Sequence, residues 1–344
     1  MKRYQLLFAS LCFGGMLIGL QKSSAVDRFV EYAKLHSGEM AVTGYGLSEM
    51  PPANHVWNNR EERKAQARDQ ILAEAAKRRI PPVNATVDRV WKAIPGYNGL
   101  EVDVEKTMQL NEQQSFPNPP KLVFREVPPE VSLEQLGAQP IYKGNPSKRM
   151  VGLMINVAWG NEYLAPMLET LRKENVHATF FFDGSWLKKN IPTARKIIEA
   201  GHEAGNHAYT HKDMSKLGRE QATSEISRTE ALLKNELGLQ NKLFAPPSGD
   251  FNQSTVEIAH DMKLKTILWT IDTVDWMKPS PETIVRKIST RVEPGSLILM
   301  HPTDSSNRAL QQMIREIKNK GLALGTVSEV ISPSRIPEVE STLQ

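Results

Sequence analysis

Two histidines four residues apart are the first chemically suggestive feature of the chain. The segment from His207 to His211 reads His-Ala-Tyr-Thr-His. On a helical turn, side chains at positions i and i+4 lie on one face, so both imidazoles could reach one divalent metal ion, most naturally Zn²⁺. The same spacing also fits two surface or capping histidines. The pair therefore needs support from other residues.

A third histidine, two carboxylates and an indole follow apolar runs further along the chain. His301 comes directly after Leu297–Met300, and Asp272, Asp275 and Trp276 follow another apolar segment. A histidine at the end of a buried strand can act as a general acid or base near neutral pH. Asp275 could orient it, and Trp276 could form one wall of a sugar site. The alternatives are a hydrogen-bonded core histidine, a helix-capping carboxylate and a core aromatic residue.

Regular alternation of strands and helices from residue 150 onward must position these residues. The patterns predict strands at residues 151–157, 178–182, 202–206, 242–245, 266–271 and 296–300, and helices at 163–175, 191–200, 217–237, 253–262, 281–291 and 308–320. Such alternation is typical of a parallel β/α architecture, in which active-site residues lie at the C-terminal ends of the strands. Asn156, His207, Asp275 and His301 all fall at such ends.

The residues before this region predict a smaller unit. Residues 26–108 form an α+β domain with helices at 60–79 and 87–93 and a strand at 100–105. Residues 109–147 contain seven prolines and form a connector. Residues 148–332 form the region of alternating strands and helices, and residues 333–344 are a C-terminal tail.

The composition excludes several classes of protein. The chain has 344 residues, of which 40% are hydrophobic and 24% charged, and its mean hydropathy is −0.41. This balance excludes a polytopic membrane protein, a fibre and a wholly disordered chain. The formal net charge is +4, and three of the positive charges lie within the first 25 residues. The rest is nearly neutral, so nothing points to nucleic acid.

The first 25 residues match a secretory signal, with a basic start, a short apolar core and Ser23-Ser24-Ala25 before the cut. An uncleaved membrane anchor is the alternative, and in either case the body lies outside the cytoplasmic membrane. Cys12, the single cysteine, lies in this leader. The body therefore has no disulfide and no cysteine-based metal site.

Five motifs, in order, resemble those of the polysaccharide deacetylases of carbohydrate esterase family 4, which share the NodB homology domain. They are Ala-Thr-Phe-Phe at 178–181, Asn-His-x-x-x-His at 206–211, Phe-Ala-Pro-Pro-Ser-Gly at 244–249, Asp-x-x-Asp-Trp at 272–276 and Leu-x-Leu-x-His at 297–301. The resemblance implies a distorted parallel (β/α) barrel. The whole chain, including residues 91–99, resembles the sporulation-associated branch of the family.

The resemblance also implies a reaction, in which metal-bound water attacks an N-acetyl group. By this resemblance His207 and His211 bind the metal, and His301 is the acid, which Asp275 orients. The Ser248 N–H matches the oxyanion donor. Trp276 and Leu299 match residues that contact the acetyl methyl group, and Pro247 is a further candidate for substrate binding.

The first motif departs from the family. In the gapless register, Asn156 and Val157 stand where the family has two aspartates, and a shift of two residues puts Ala158 and Trp159 there instead, so neither register supplies a carboxylate. Ala245 replaces the arginine that holds the catalytic base, and Ser248 replaces a tyrosine. An amide is no general base, although the oxygen of Asn156 could bind metal. Loss of a general base typically costs about 10²–10⁴-fold in rate.

The carboxylates that could substitute for the lost base are Glu162, Asp183, Asp213, Asp250 and Asp304. We favour Asp183 among them because it follows a strand.

Three functions remain open from the sequence. The favoured one is an N-deacetylase of cell-wall amino sugars, peptidoglycan or chitooligosaccharide-like, with impaired activity. The second is an inactive glycan-binding or scaffold protein of the cell envelope or spore. The third is a hydrolase of another carbon–nitrogen bond. The expected partner is a cell-wall or spore polysaccharide, and contact with a membrane would involve only the leader.

Overall fold

The structure is a computed structural model that describes residues 53–336, and the residues from Lys64 onward form one compact unit. The predicted signal peptide or anchor lies outside the described residues, as does most of the predicted tail. Within residues 53–336, no helix combines the length and the apolar character that crossing a membrane requires.

Two antiparallel strand pairs and two helices build the first part of the described chain. The β1–β2 and β3–β4 pairs are antiparallel. The elements are α1 (Ala53–Arg78), β1 (Thr86–Asp88), β2 (Lys92–Ile94), β3 (Gly99–Val102), α2 (Val104–Gln113) and β4 (Phe124–Val127). The β3–β4 pair joins residues on both sides of the predicted boundary at residue 108.

The helix predicted at residues 87–93 is wrong, because this segment is the β1–β2 hairpin. Asp88 Oδ1 accepts hydrogen bonds from the backbone N–H groups of Val90 and Trp91, both at 2.7 Å, and so closes the turn. The next predicted strand stops early, at Val102. Its end is set by Asp103, which caps α2 by accepting a hydrogen bond from the N–H of Lys106.

A parallel sheet forms the second part and confirms the predicted (β/α) barrel. Seven strands are paired in the order β10-β11-β5-β6-β7-β8-β9, and β12 also pairs with β5, all in parallel. The strands are β5 (Met150–Val157), β6 (Thr179–Phe182), β7 (Glu203–Asn206), β8 (Leu243–Phe244), β9 (Lys265–Thr266), β10 (Ile271–Asp272), β11 (Leu297–Met300) and β12 (Ala323–Gly325).

The single strand predicted at residues 266–271 is instead two strands, β9 and β10, at opposite ends of the sheet order. The segment between them bonds to the proline-rich region. The N–H of Leu268 donates to the carbonyl of Ile141, and Thr270 Oγ1 donates to the carbonyl of Tyr142, each at 2.8 Å. These contacts take the place of sheet pairing, and no pattern within residues 266–271 could predict them.

Helices pack against the sheet, and the apolar residues of the last helix share a core cluster with Met150 and Met154. The helices are α3 (Asn161–Lys173), α4 (Gly184–Lys189), α5 (Ile191–Glu199), α6 (Arg219–Leu237), α7 (Gln253–Asp261), α8 (Pro281–Arg291), α9 (Asp304–Asn319) and α10 (Val327–Ile331). β5 is buried along its whole length, with Val151, Leu153 and Ile155 packed in one core cluster and Met150 and Met154 in another. This alternation follows the period-two geometry of a strand.

α9 begins four residues earlier than the sequence predicts. Thr303 caps it by accepting a hydrogen bond from the N–H of Ser306. The early start brings Ser306 into the first turn, where its side chain reaches the buried Asp275.

Candidate active site

A cavity of about 420 Å³ opens where the strands β5, β7, β10 and β11 end. Its lining includes eight of the residues that the sequence singled out: Asn156, His207, His211, Ser248, Asp272, Trp276, Leu299 and His301. Trp159 and Trp269 complete the lining. Pro247, the other candidate for substrate binding, is buried and does not line this cavity.

The two metal-ligand candidates come together without a helix, so the predicted helical turn is wrong. His207 directly follows β7, and the residues after it form an irregular loop. Ala208 and His211 have left-handed backbone conformations, with φ of 55° and 56°. The rings of His207 and His211 nevertheless lie with centroids 5.1 Å apart.

A buried carboxylate on α6 holds this loop in place. Glu225 Oε2 accepts hydrogen bonds from the backbone N–H groups of Tyr209 and Thr210, at 3.0 and 2.7 Å, and its Oε1 accepts one from Thr210 Oγ1 at 2.7 Å. One turn further along the helix, Thr229 Oγ1 donates to the carbonyl of Ala208 at 2.8 Å. The separation between the two histidines is therefore fixed by long-range contacts.

His207 is held in a form suited to metal binding. Its Nδ1 lies 2.8 Å from the carbonyl oxygen of Ala245, which accepts a hydrogen bond from Nδ1–H and leaves the Nε2 lone pair free. Burial lowers the pKa of His207 to about 3, and the neighbouring His211 acts in the same direction. His207 is therefore neutral at physiological pH, as a ligand must be.

The third ligand candidate is an amide. The side chain of Asn156 is buried, and its Oδ1 has no hydrogen-bond partner in the structure, which costs about 1–3 kcal/mol unless something binds it. Between residues 53 and 336, no three histidine, cysteine, aspartate or glutamate side chains cluster closely enough to hold a metal ion. Two nitrogens and one neutral oxygen fit a divalent ion, but they supply none of the negative charge of a carboxylate ligand.

The acid half of the site is complete. Nδ1 of His301 lies 2.8 Å from Oδ1 of Asp275, and Oδ2 accepts from the His301 backbone N–H at 2.7 Å and from Ser306 Oγ. Burial raises the pKa of Asp275, but these hydrogen bonds outweigh burial and hold the pKa below its usual range. An ionised Asp275 therefore fixes the orientation of the His301 ring, leaving Nε2 as its free nitrogen.

The carboxylates proposed as substitutes do not line the cavity. Asp183 caps α4 by accepting from the N–H of Trp186, Asp213 pairs with Lys216, and Asp250 accepts from Ser215. Glu162 and Asp304 line a neighbouring groove. The carboxylate that does line the cavity is Asp272, whose Oδ1 accepts from the N–H of Val274 at 2.7 Å. Its signal in the sequence was the first position of the Asp-x-x-Asp-Trp motif.

Trp159 is the main functional candidate that sequence reasoning missed. Its ring stacks on the imidazole of His301, with centroids 5.3 Å apart, and 45% of the residue remains exposed. The sequence feature that could have pointed to Trp159 is its place, two positions after a buried strand and inside the altered first motif. Trp269 was also missed; it packs against Gly249, where a Cβ would lie 2.6 Å from its ring.

Comparison with known proteins supports the same architecture. The model for the polysaccharide deacetylase family matches residues 143–267. A Bacillus subtilis protein, YlxY, is 44% identical over 268 residues, which is 78% of this chain and 84% of its own length. A peptidoglycan-N-acetylglucosamine deacetylase from Bacillus cereus is 30% identical over 56% of this chain and 72% of its own length.

A solved structure is similar over the same region. The wild-type CE4 family pseudoenzyme BA3943 from Bacillus anthracis is 41% identical, with a TM-score of 0.71, and the match covers 78% of this chain and 96% of that one. A mutant of that pseudoenzyme is described as having restored enzymatic activity. With its fold, its motifs and these relatives, the chain belongs to the polysaccharide deacetylase family, carbohydrate esterase family 4.

Proposed function

We propose that the protein binds N-acetylated amino sugars of cell-wall glycans in this cavity, as a degenerate deacetylase without turnover. The observation that carries the proposal is the unpaired amide oxygen of Asn156. Asn156 lines the cavity with His207 and His211, and it stands where the deacetylases of the family have a carboxylate. The two histidines remain, while an amide stands at the position that matches the family's catalytic base. The similarity to a pseudoenzyme supports this interpretation.

Each retained residue has a place in binding. Leu299 and Trp276 would contact the acetyl methyl group, and the Ser248 N–H would donate to the acetyl oxygen. His207, His211 and Asn156 would hold Zn²⁺, which when bound polarises a carbonyl group. Because none of these three ligands is a carboxylate, we expect Zn²⁺ to bind more weakly here than in an Asp-His-His site.

Slow hydrolysis is the second candidate, and one observation favours it. The buried Asp275 accepts hydrogen bonds from His301 and Ser306, an arrangement that orients an acid and that sugar binding alone does not require. Loss of the base alone leaves a rate reduced by about 10²–10⁴-fold rather than abolished.

Acetate release separates the two candidates. The zinc-loaded protein, its His301→Ala variant and the triple variant Asn156→Asp/Val157→Asp/Ala245→Arg would each be incubated with peptidoglycan and with chitooligosaccharides. Calorimetry would measure binding of the same sugars. We expect the wild type to bind sugar without releasing acetate and the triple variant to release it.

Other results would decide against the main proposal. Release by the wild type that His301→Ala abolishes would establish slow hydrolysis instead. A wild type that binds none of these sugars, together with an inactive triple variant, would remove both candidates.

We also propose an extracytoplasmic location, because cell-wall glycans lie outside the cytoplasmic membrane and the leader fits a secretory signal. A role in sporulation rests on the resemblance alone. Mass spectrometry of the mature N-terminus tests cleavage after Ala25, and a reporter fused to the gene's promoter tests expression during sporulation.

A further inference from the structure

A second cavity, the β9 cavity, encloses about 360 Å³ beside the edge strand β9. Residues 133–141 form one wall, and α7 and β9 form the others. Among the described residues, none lines both this cavity and that of the candidate active site. The wall at 133–141 precedes the residues 143–267 that match the family model, so it lies outside the domain that the family shares. The volume is within the range of small-ligand sites.

Hydrogen bonds hold the walls of the β9 cavity in place. The N–H of Ile141 donates to the carbonyl of Thr266, on β9, at 2.9 Å. Gln253, the first residue of α7, donates from Nε2 to the carbonyl of Ala138 at 3.1 Å. The segment at 133–141 is thus tied to the strand and to the helix, and the cavity exists before a ligand arrives. Binding therefore costs little conformational freedom of the protein.

The hydroxyl group of Thr266 has no partner. Thr266 lines the cavity and is only 1% exposed, and its Oγ1 is buried without a hydrogen bond in the structure. Its paired residue on β8 is Phe244, which shares a core cluster with Ile258 of α7. Paired residues lie on the same face of a sheet, so Thr266 faces α7. A buried hydroxyl without a partner is unfavourable, and a polar ligand atom would satisfy it.

The charged groups of the lining leave one cation in excess. Glu134 pairs with Lys265, with Oε1 and Nζ 3.1 Å apart. Within residues 53–336, the Lys263 ammonium takes part in no ion pair. Lys263 also has φ of 64°, in the left-handed region that favours glycine at the end of a helix. An excess positive charge favours an anion, and His260 would add to it only when protonated.

The rest of the lining is mostly aliphatic. It includes Ala93, Leu133, Ala138, Ile141, Val256 and Leu264. In the part of the chain that the structure describes, no tryptophan, tyrosine or phenylalanine lines the cavity, so it offers no stacking surface to a sugar ring. An aliphatic chain can bury its surface against such a lining.

We propose that the β9 cavity binds a small carboxylate with an aliphatic body. Thr266 Oγ1 donates a hydrogen bond to the carboxylate, the Lys263 ammonium balances its charge, and the aliphatic residues cover its chain. The inference is independent of the proposed function, because it involves neither the metal-ligand histidines nor the sugar site.

Titration of the full-length protein with sodium octanoate tests the site. Octanoate carries one carboxylate on an aliphatic chain, whereas 1-octanol and octylamine carry a similar chain without the negative charge. Methyl-detected NMR locates the ligand. We expect octanoate to bind once per chain and to shift the methyl signals of Ala138, Val256, Leu264 and Thr266. The alcohol and the amine should bind at least about tenfold more weakly, since a hydrogen bond to a charged group is stronger than one to a neutral group.

Two variants test the polar contacts. Thr266→Val keeps the shape of the side chain without its hydroxyl and should weaken octanoate binding by about tenfold. Its own melting temperature should not fall, because the hydroxyl that it removes has no partner. Lys263→Ala should weaken binding by about two- to fivefold, which is the value of an exposed ion pair.

Thr273→Val and Lys234→Ala are the matched controls. Thr273 Oγ1 is also buried without a partner, and Lys234 is also an exposed lysine in the last turn of a helix. Neither residue lines the β9 cavity, so both variants should bind octanoate as the wild type does.

Several results would overturn the proposal. Octylamine that binds as tightly as octanoate would show an apolar cavity without preference for a carboxylate. Unchanged affinity in both Thr266→Val and Lys263→Ala would contradict the assigned contacts. Shifts centred on Leu299 would place octanoate in the active-site cavity instead, and a wild type that does not bind octanoate would remove the site altogether. None of these results bears on sugar binding, so the proposed function stands or fails separately.

Discussion

The indole of Trp159 lies against the imidazole of His301, with ring centroids 5.3 Å apart and an angle of 16° between the planes. The altered first motif therefore does more than remove two carboxylates. It also places a large ring over one face of the residue that resembles the catalytic acid. Any sugar that approaches His301 meets Trp159 as well, so the change in this loop reshapes recognition as well as chemistry.

Gly160 directly follows Trp159, has φ of 80° and packs so closely against Pro302 that a Cβ would collide with the Pro302 carbonyl oxygen, which gives a first prediction. Gly160→Ala should lower the free energy of unfolding by about 2–4 kcal/mol, because left-handed strain of about 1–2 kcal/mol adds to the collision with Pro302. Urea unfolding measures the loss, and tryptophan fluorescence of the folded variant should report displacement of the indole.

Gly238→Ala is the matched control for Gly160→Ala. Gly238 has φ of 70°, but a Cβ there would meet nothing within 4 Å. It therefore isolates the backbone strain, and the expected loss is about 1 kcal/mol. Equal losses in the two variants would mean that contact with Pro302 does not hold the Trp159 loop.

Asp275→Asn tests the orientation of His301. Asp275 is fully buried and accepts hydrogen bonds from His301 and Ser306 through both oxygens. An amide has one acceptor oxygen, so one of these donors loses its partner, at a cost of about 1–3 kcal/mol. Nitrogen-15 spectra of the His301 ring should show the proton on Nδ1 in the wild type and a shift towards Nε2 in the variant.

Asp272→Asn is the control, since Asp272 lines the cavity but accepts its hydrogen bond from Val274. It should leave the His301 spectrum unchanged. An unaltered His301 tautomer in Asp275→Asn would show that Asp275 does not orient this ring.

The sequence predicted the barrel well because its strands carry continuous apolar runs. Met150–Val157 is such a run, and a fully buried parallel strand needs no more than this. The segment at 87–93 was harder, because seven residues hold too little periodicity to separate a helix from a hairpin. The deciding feature was a local one, the Asp88 side chain bonding to two backbone groups ahead of it.

The site was predicted as a set of residues but not as a geometry. The spacing of His207 and His211 suggested a helical turn, whereas contacts from α6 bring the rings together. Glu225 lies 14 positions beyond His211, and no local pattern connects them. The altered first motif includes Trp159 but gives an aromatic ring there no role, so its stacking on His301 could be found only in the fold.

Glu225→Gln should therefore weaken metal binding without direct contact with the metal. The amide loses one of the two acceptor oxygens that hold Tyr209 and Thr210, so the loop becomes less ordered. Loss of such a supporting contact typically costs about 10–100-fold in metal affinity. Competition titration with a zinc-binding dye measures this.

Two controls make the Glu225 result interpretable. Glu236→Gln makes the same chemical change at an exposed position on the same helix and should keep wild-type affinity. Glu225→Asp keeps both oxygens and should recover part of the loss. Zinc affinity that stays unchanged in Glu225→Gln would contradict the positioning role.

His202 should make the fold sensitive to mild acid. It is buried beside Phe180 and His177, and its Nδ1 accepts a hydrogen bond from the N–H of Ala178 at 3.2 Å, which requires an unprotonated Nδ1. Burial lowers the pKa of His202 to about 4 from 6.5, and His177 adds to the shift. Between these two pH values the unfolded chain takes up the proton and the folded protein does not.

The stability that neutral His202 provides is therefore complete above pH 6.5 and decreases as the pH falls towards 4. We expect His202 to contribute about 1–2 kcal/mol to this decrease, after allowance for partial contact with solvent. Urea unfolding between pH 4 and 7 measures this decrease.

His202→Asn keeps an acceptor for Ala178 but does not titrate, so its stability should depend less steeply on pH. The stability of His202→Asn should still decrease somewhat in acid, because the pKa of His207 is also lowered by burial. His260→Asn, at an exposed position on α7, should retain the wild-type slope, and a His202→Asn protein with that same slope would contradict the assignment.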